Sequence, residues 1–128
     1  MQRRLTIPAE GSAHKNPIPA GCRIGNLFMS GLVVGRLPET GEFAETLEEQ
    51  CALVFENLGK LVETAGGTIK DIVKINLWLR DGSQRGPINK EWLKMFPDEI
   101  DRPARQSMQA ELTTGALIQA DFVAVIHE

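Results

Sequence analysis

Hydrophobic positions along this chain change period several times, and each change marks an element. From Cys22 to Val34 the apolar residues Cys22, Ile24, Leu27, Phe28, Met29, Leu32, Val33 and Val34 surround Gly25-Asn26, which predicts two short strands joined as a hairpin. Turn chemistry follows in Leu37 to Glu42. Then Leu47, Cys51, Val54, Phe55, Leu58, Leu61, Val62 and Ala65 recur at steps of three and four, the signature of a helix with one apolar face. Thr46 with Glu49 fits a capping box at its start, and Gly66-Gly67 supplies a left-handed stop. A helix apolar on one side needs a flat surface to lie on, and a sheet is the candidate.

That sheet continues from Asp71 to Arg80, where Val73, Ile75, Leu77 and Leu79 alternate with Lys74, Asn76, Trp78 and Arg80. Asp81-Gly82-Ser83 ends the strand. Ile88, Trp92, Met95 and Phe96 predict a second, shorter helix that stops at Pro97. Two more strands are expected around Ser107 to Glu111 and Leu117 to Ile126, parted by Thr113-Thr114-Gly115. The last strand puts Ile118, Ala120, Phe122, Ala124 and Ile126 on a core face. Leu117, Gln119, Asp121, Val123 and Val125 on its other face suit a surface covered by another subunit. The expectation is an α+β fold, with two helices on one face of a sheet and an oligomer contact on the other.

Composition narrows the function. The 128 residues fit one domain, 1–128, and 42% hydrophobic with 24% charged residues describes a globular chain. A net charge of -3 argues against nucleic acid as the main ligand. No stretch is apolar enough to span a bilayer and the first residues lack a signal peptide's apolar run, so a cytoplasmic location without membrane attachment is expected. The two cysteines, Cys22 and Cys51, lack metal or disulfide spacing. No zinc-ligand cluster, P-loop or dinucleotide fingerprint occurs. His14 and His127, near the termini, read as solvated surface residues.

Arg105, in Arg102-Pro103-Ala104-Arg105, stands out because proline biases Arg102 to an extended conformation and delivers Arg105 to the start of a strand. A guanidinium there is a fork suited to a carboxylate. The same spacing equally fits a surface arginine paired with Asp98, Glu99 or Asp101.

Gly25-Asn26-Leu27-Phe28-Met29-Ser30-Gly31, Pro38-Glu39-Thr40-Gly41, Asn57, Ala65-Gly66-Gly67, Asp71-Ile72-Val73-Lys74, Asn89 and Arg102-Pro103-Ala104-Arg105 occur in one order from about Pro17 to the C-terminus. Together they resemble the RidA family, also called YjgF/YER057c/UK114 or endoribonuclease L-PSP-like. The resemblance implies a chorismate-mutase-like mixed sheet with two helices packed on one face, in a homotrimer with a central β-barrel and clefts between subunits. In those clefts reactive enamine and 2-imino acids are hydrolysed to 2-oxo acids and ammonia, without metal or cofactor. Arg105 matches the arginine that clasps the substrate carboxylate, and Ser107 lies where the backbone helps hold that group. Ser30 and Gly31 match a strand lining the cleft, and Asn89 an asparagine at the start of the second helix.

Three positions depart from the pattern. Gln119 stands where a glutamate is proposed to position water. An amide can orient water but cannot take its proton at neutral pH. Ile18 replaces a tyrosine of the cleft wall, and Leu32 a glutamine. Asp121, on the face of Gln119, either substitutes for the missing acid or pairs with Lys74 or Arg80 on another strand or subunit. Trp78 and Trp92 read as packing or interface residues before substrate platforms. The resulting expectation is a deaminase acting on a small carboxylate, with Arg105 as anchor and Gln119 orienting water. The alternative is a non-catalytic trimer that binds a carboxylate metabolite or a partner protein. Ribonuclease activity ranks third, for want of a basic groove.

Overall fold

The computed structural model describes residues 3–9 and 17–127, so His14 lies outside the described residues. The strands are β1 (Arg4–Ile7), β2 (Gly21–Ile24), β3 (Leu27–Ser30), β4 (Val33–Val34), β5 (Ile72–Leu79), β6 (Ala104–Gln109) and β7 (Ile118–Val125). The helices are α1 (Leu47–Thr64) and α2 (Gly86–Met95), with one 3-10 turn at Ile69–Asp71. The strands form one sheet in the order β1-β2-β3-β7-β5-β6, and β4 also pairs with β7. All pairings are antiparallel except β5 with β6. That parallel pair brackets α2 as a strand-helix-strand unit.

Both helices bury their apolar stripes against one face of the sheet. Val54, Leu58 and Val62 of α1, and Ile88 and Trp92 of α2, meet Ile75, Leu77 and Leu79 of β5 and Ile118, Ala120, Phe122 and Ala124 of β7. Phe28 joins Phe122 at 5.6 Å between ring centroids. This is the expected mixed sheet with two helices on one face.

Thr46 caps α1 as foreseen, accepting from the Glu49 amide, but the reciprocal half differs: the Thr46 hydroxyl donates to the Glu49 carboxylate at 2.9 Å. At the other end Gly66, with φ 99°, lets its amide reach Glu63 and the Gly67 amide reach Val62, a Schellman stop. Gln50, polar and fully buried on the apolar face, was not foreseen. Its side chain donates to the carbonyls of Ala44 and Gly115 and accepts from the Leu117 amide, all at 2.8 Å. It pins two turns to the helix.

Four expectations need correction. The segment Cys22 to Val34 gives three strands, since Ser30-Gly31-Leu32 interrupts the ladder between β3 and β4. Val73 leaves the core face and is 49% exposed, because a bulge between Ile72 and Lys74 shifts the alternation and Ile72 takes the buried place. β6 begins at Ala104 and ends at Gln109, nearer the Arg102-Pro103 pair than predicted. β1, which the sequence pattern did not reveal, adds an edge strand beside β2.

Candidate functional site

Strand register decides which candidate residues share a face. Arg105 and Ser107 lie beside Ile75 and Leu77, so both side chains point to the helix-covered side of the sheet. Gln119 pairs with Trp78 and Asp121 with Asn76, one residue out of phase, so both point to the open side. Arg105 and Gln119 of one protomer therefore lie on opposite faces of the same sheet. A site that used both would need two copies of the chain.

Arg105 is half-buried at the sheet edge, with its guanidinium carbon 5.2 Å from the centre of the Trp92 ring. Such a placement attracts a cation to the ring's electron-rich face. None of the expected alternative partners Asp98, Glu99 and Asp101 pairs with it; Asp98 accepts from the Ile100 amide, and Arg102 donates to the carbonyls of Phe96 and Pro97. Among the described residues the Arg105 guanidinium has no hydrogen bond and no ion pair. Burial first, and then the charge of Arg85, lower its pKa below the usual arginine value. It stays charged at neutral pH all the same. Two places along β6, the Ser107 hydroxyl is buried with no hydrogen-bond partner. Orphaned buried hydroxyls are uncommon and ask for a ligand or a water. Asn89 is exposed on α2, one turn before Trp92.

A second group gathers at the far end of β3. The Ser30 hydroxyl donates to the Gly31 carbonyl at 2.8 Å and accepts from the Phe122 amide at 2.9 Å, replacing the ladder bond lost at the interruption. Its only proton is thus committed inside the chain, and Ser30 serves here as a strut. The Gly31 amide donates to Ala20, and an added Cβ at Gly31 would lie 3.3 Å from the carbonyl oxygens of Pro19 and Ala20. Ile18 and Leu32 flank these contacting segments in the chain, and both apolar side chains are about half exposed. β7 and β5 separate β3 from β6, so the two groups sit about 14 Å apart across the sheet.

Asp121 accepts from Asn76 at 2.9 Å, not from Lys74 or Arg80 within the chain. Arg80 instead donates to the carbonyls of Leu112, Thr113 and Ala116. The Gln119 amide makes no hydrogen bond within the described chain and lies on a face that no other element covers. Sequence reasoning missed Arg85, at the N-terminal boundary of α2. No local pattern marks it, because what brings it near Arg105 is the packing of α2 on β6.

Fold and site define a class: a mixed sheet with two helices on one face and an unpaired, ring-backed arginine on its edge strand. Residues 18–126 match the family model described as Endoribonuclease L-PSP, and the chain belongs to this family, that of the RidA/YjgF proteins. It is 30% identical to Reactive Intermediate Deaminase A, chloroplastic, of Arabidopsis thaliana, over 98% of this chain and 67% of that one. A RutC family protein of Aquifex aeolicus is 32% identical over 87% of this chain and 94% of its own. Among solved structures, RidA from the Antarctic bacterium Psychrobacter superposes with a TM-score of 0.82 and 28% identity, covering 98% of this chain and 100% of that one.

Proposed function

We propose that this protein hydrolyses small reactive 2-imino and enamine acids to 2-oxo acids and ammonia, at clefts between the subunits of a homotrimer with a central β-barrel. The observation that carries this reading is Arg105: charged, half-buried on Trp92, and without a counter-ion among the described residues of its chain. Leaving a guanidinium in that state costs stability unless an anion arrives to share its donors. A carboxylate matches the fork, and the Ser107 segment beside it supplies further donors.

Apart from Asn89, on the same α2 as Trp92, the remaining groups come from a second protomer. Ile18, Gly31 and Leu32 form an apolar wall that limits water, while Asn89 borders the arginine. Gln119 orients the attacking water by hydrogen bonding. An enamine substrate first takes a proton on carbon to give an iminium; an imine takes one on nitrogen. Water oxygen then adds to the C=N carbon and loses a proton. The nitrogen of the resulting carbinolamine takes up a proton, the C–N bond breaks, nitrogen departs as ammonia, and the C=O bond forms as the hydroxyl proton is released. The iminium carbon is already electrophilic, so orientation and partial desolvation suffice without a strong base.

The test generates 2-imino acids in situ with an amino-acid oxidase and follows their decay. Wild type is expected to accelerate decay, and Arg105→Ala to lose about tenfold to a hundredfold in kcat/KM, the worth of a charge-assisted bidentate contact. Gln119→Glu is expected to raise kcat by supplying the missing base. Decay no faster than in buffer for every substrate would overturn the deaminase reading. One observation favours a second reading: residue 119 carries an amide, and the nearby Asp121 carboxylate accepts from Asn76. Under it the trimer binds a carboxylate metabolite, or a partner protein, without turning it over. Binding of a 2-oxo acid with no imine hydrolysis, in wild type and Gln119→Glu alike, is the result it expects.

A further inference from the structure

On the helix-covered side of β6 the side chains run Arg105, Ser107, Gln109, and the segment from Gly82 to Trp92 lies over that row. Trp92 backs Arg105. At the other end, the Gln109 side-chain oxygen accepts from the Gly82 amide at 2.9 Å, and the Gly82 carbonyl in turn accepts from Nε of Arg85 at 3.1 Å. Arg85 is thereby moored to the same strand as Arg105. Arg85, at the N-cap of α2, and Asn89 and Trp92 within it follow at steps of four and three, so they lie along one side of the helix. Between Arg105 and Gln109 along this row lies the buried Ser107 hydroxyl, which has no hydrogen-bond partner among the described residues.

Neither guanidinium has a carboxylate partner among the described residues. Asp81 is turned to Ser83, and Glu91 to Lys94. Both guanidiniums are tied to the same pairing of the Gly82 to Trp92 segment with β6, and the charge of Arg85 adds to burial in lowering the pKa of Arg105. Two like charges held together beside an unpaired hydroxyl form a site whose repulsion is relieved by an anion. A single carboxylate on Arg105 answers one of them and leaves Arg85 unmatched.

We propose that the cleft selects dicarboxylic substrates, short 2-imino or 2-oxo acids whose α-carboxylate sits on Arg105 and whose side-chain carboxylate sits on Arg85. The assignment rests on the deaminase reading for the reaction, but binding tests it independently. Arg85 is exposed, so its contribution is a solvent-screened one and sets preference more than absolute affinity.

The experiment measures one ratio in two ways on the assembled wild-type protein. In the kinetic arm, 2-imino acids made in situ from aspartate and glutamate are compared with those from alanine and leucine. In the binding arm, 2-oxoglutarate is compared with 2-oxobutyrate by calorimetry. Wild type is expected to favour the diacid by about fivefold or more in each arm. Arg85→Ala should bring the ratio close to one, and Arg85→Lys should restore most of it. Added salt should erode the preference. A wild-type ratio near one, or a ratio that Arg85→Ala leaves unchanged, overturns the diacid assignment. If no imine is hydrolysed but 2-oxoglutarate binds with an Arg85-dependent preference, the deaminase reading falls and the diacid assignment stands. If imines are hydrolysed without that preference, the diacid assignment falls and the deaminase reading stands. Absence of both hydrolysis and binding removes both.

Discussion

The Cys51 thiol sits on the buried stripe of α1, and burial, with smaller contributions from Glu91 and Glu48, pushes its pKa up to about 12. A thiol so placed is a poor nucleophile and packs as a small apolar side chain. Its raised pKa also makes stability depend on pH. In the unfolded chain the thiol ionises near its ordinary value of 9.0, while the folded chain holds the proton to about 12. The stabilising difference is complete below the lower value and is lost as pH rises through that window. Denaturant titrations at several pH values should show wild-type stability falling faster than that of Cys51→Ala between pH 9 and 12, by on the order of 1 kcal/mol per pH unit. Ionisations common to wild type and variant cancel in the comparison. Equal slopes would mean that the thiol is hydrated in the native state. Arg105 is the opposite case, a polar group left unsatisfied by the described residues of its chain, and that contrast between an inert cysteine and an unpaired arginine points the chemistry to β6.

At the scale of elements, the end of α1 shows how local and distant residues cooperate. Gly66 reaches φ 99°, which a side chain resists, and its missing Cβ leaves room for the Arg23 guanidinium, which would lie 2.7 Å from such an atom. Arg23 uses that space to donate to the Ala65 carbonyl at 2.8 Å, a cation at the negative end of the helix. Gly66→Ala should therefore destabilise the protein by about 1–2 kcal/mol from backbone strain, with the Arg23 contact displaced in addition. Thermal or denaturant unfolding checks this. A change within error would mean that the stop adapts without strain. Glycine at this turn was legible in the sequence because it terminates a periodic stripe. The contribution of β2 through Arg23 was not, since 42 residues separate it from the helix end.

For the whole molecule, the side of the sheet away from the helices is the governing fact. Ile24, Leu27 and Val125 align across β2, β3 and β7, and Cys22, Met29 and Val123 form the next row. Leu27, Met29 and Val125 are 46%, 53% and 50% exposed, beside the exposed Val73. Contiguous apolar rows on a sheet face mark an association surface. The proposed trimer covers these rows, and it also brings an Arg105 of one chain toward an Ile18, Gly31 and Leu32 of another. Light scattering is expected to give three times the chain mass for wild type. Met29→Glu should shift it toward one, with loss of any imine hydrolysis, because a buried unpaired carboxylate opposes association. A wild-type monomer would remove the intersubunit site altogether.

The sequence by itself determined the helix stripes, their stops, the core face of β7 and, through the order of its short motifs, the family. Those features depend on residues within a turn or two of one another, where periodicity and capping act. It also singled out Arg105, because proline's constraint on its neighbour is local. Tertiary structure decided the rest. The bulge that expels Val73, the ladder break that turns Ser30 into a strut, and the buried bonds of Gln50 all arise where distant strands and turns meet. Register between strands, which no single segment encodes, set Arg105 and Gln119 on opposite faces. Packing of α2 on β6 brought Arg85 within electrostatic reach of Arg105.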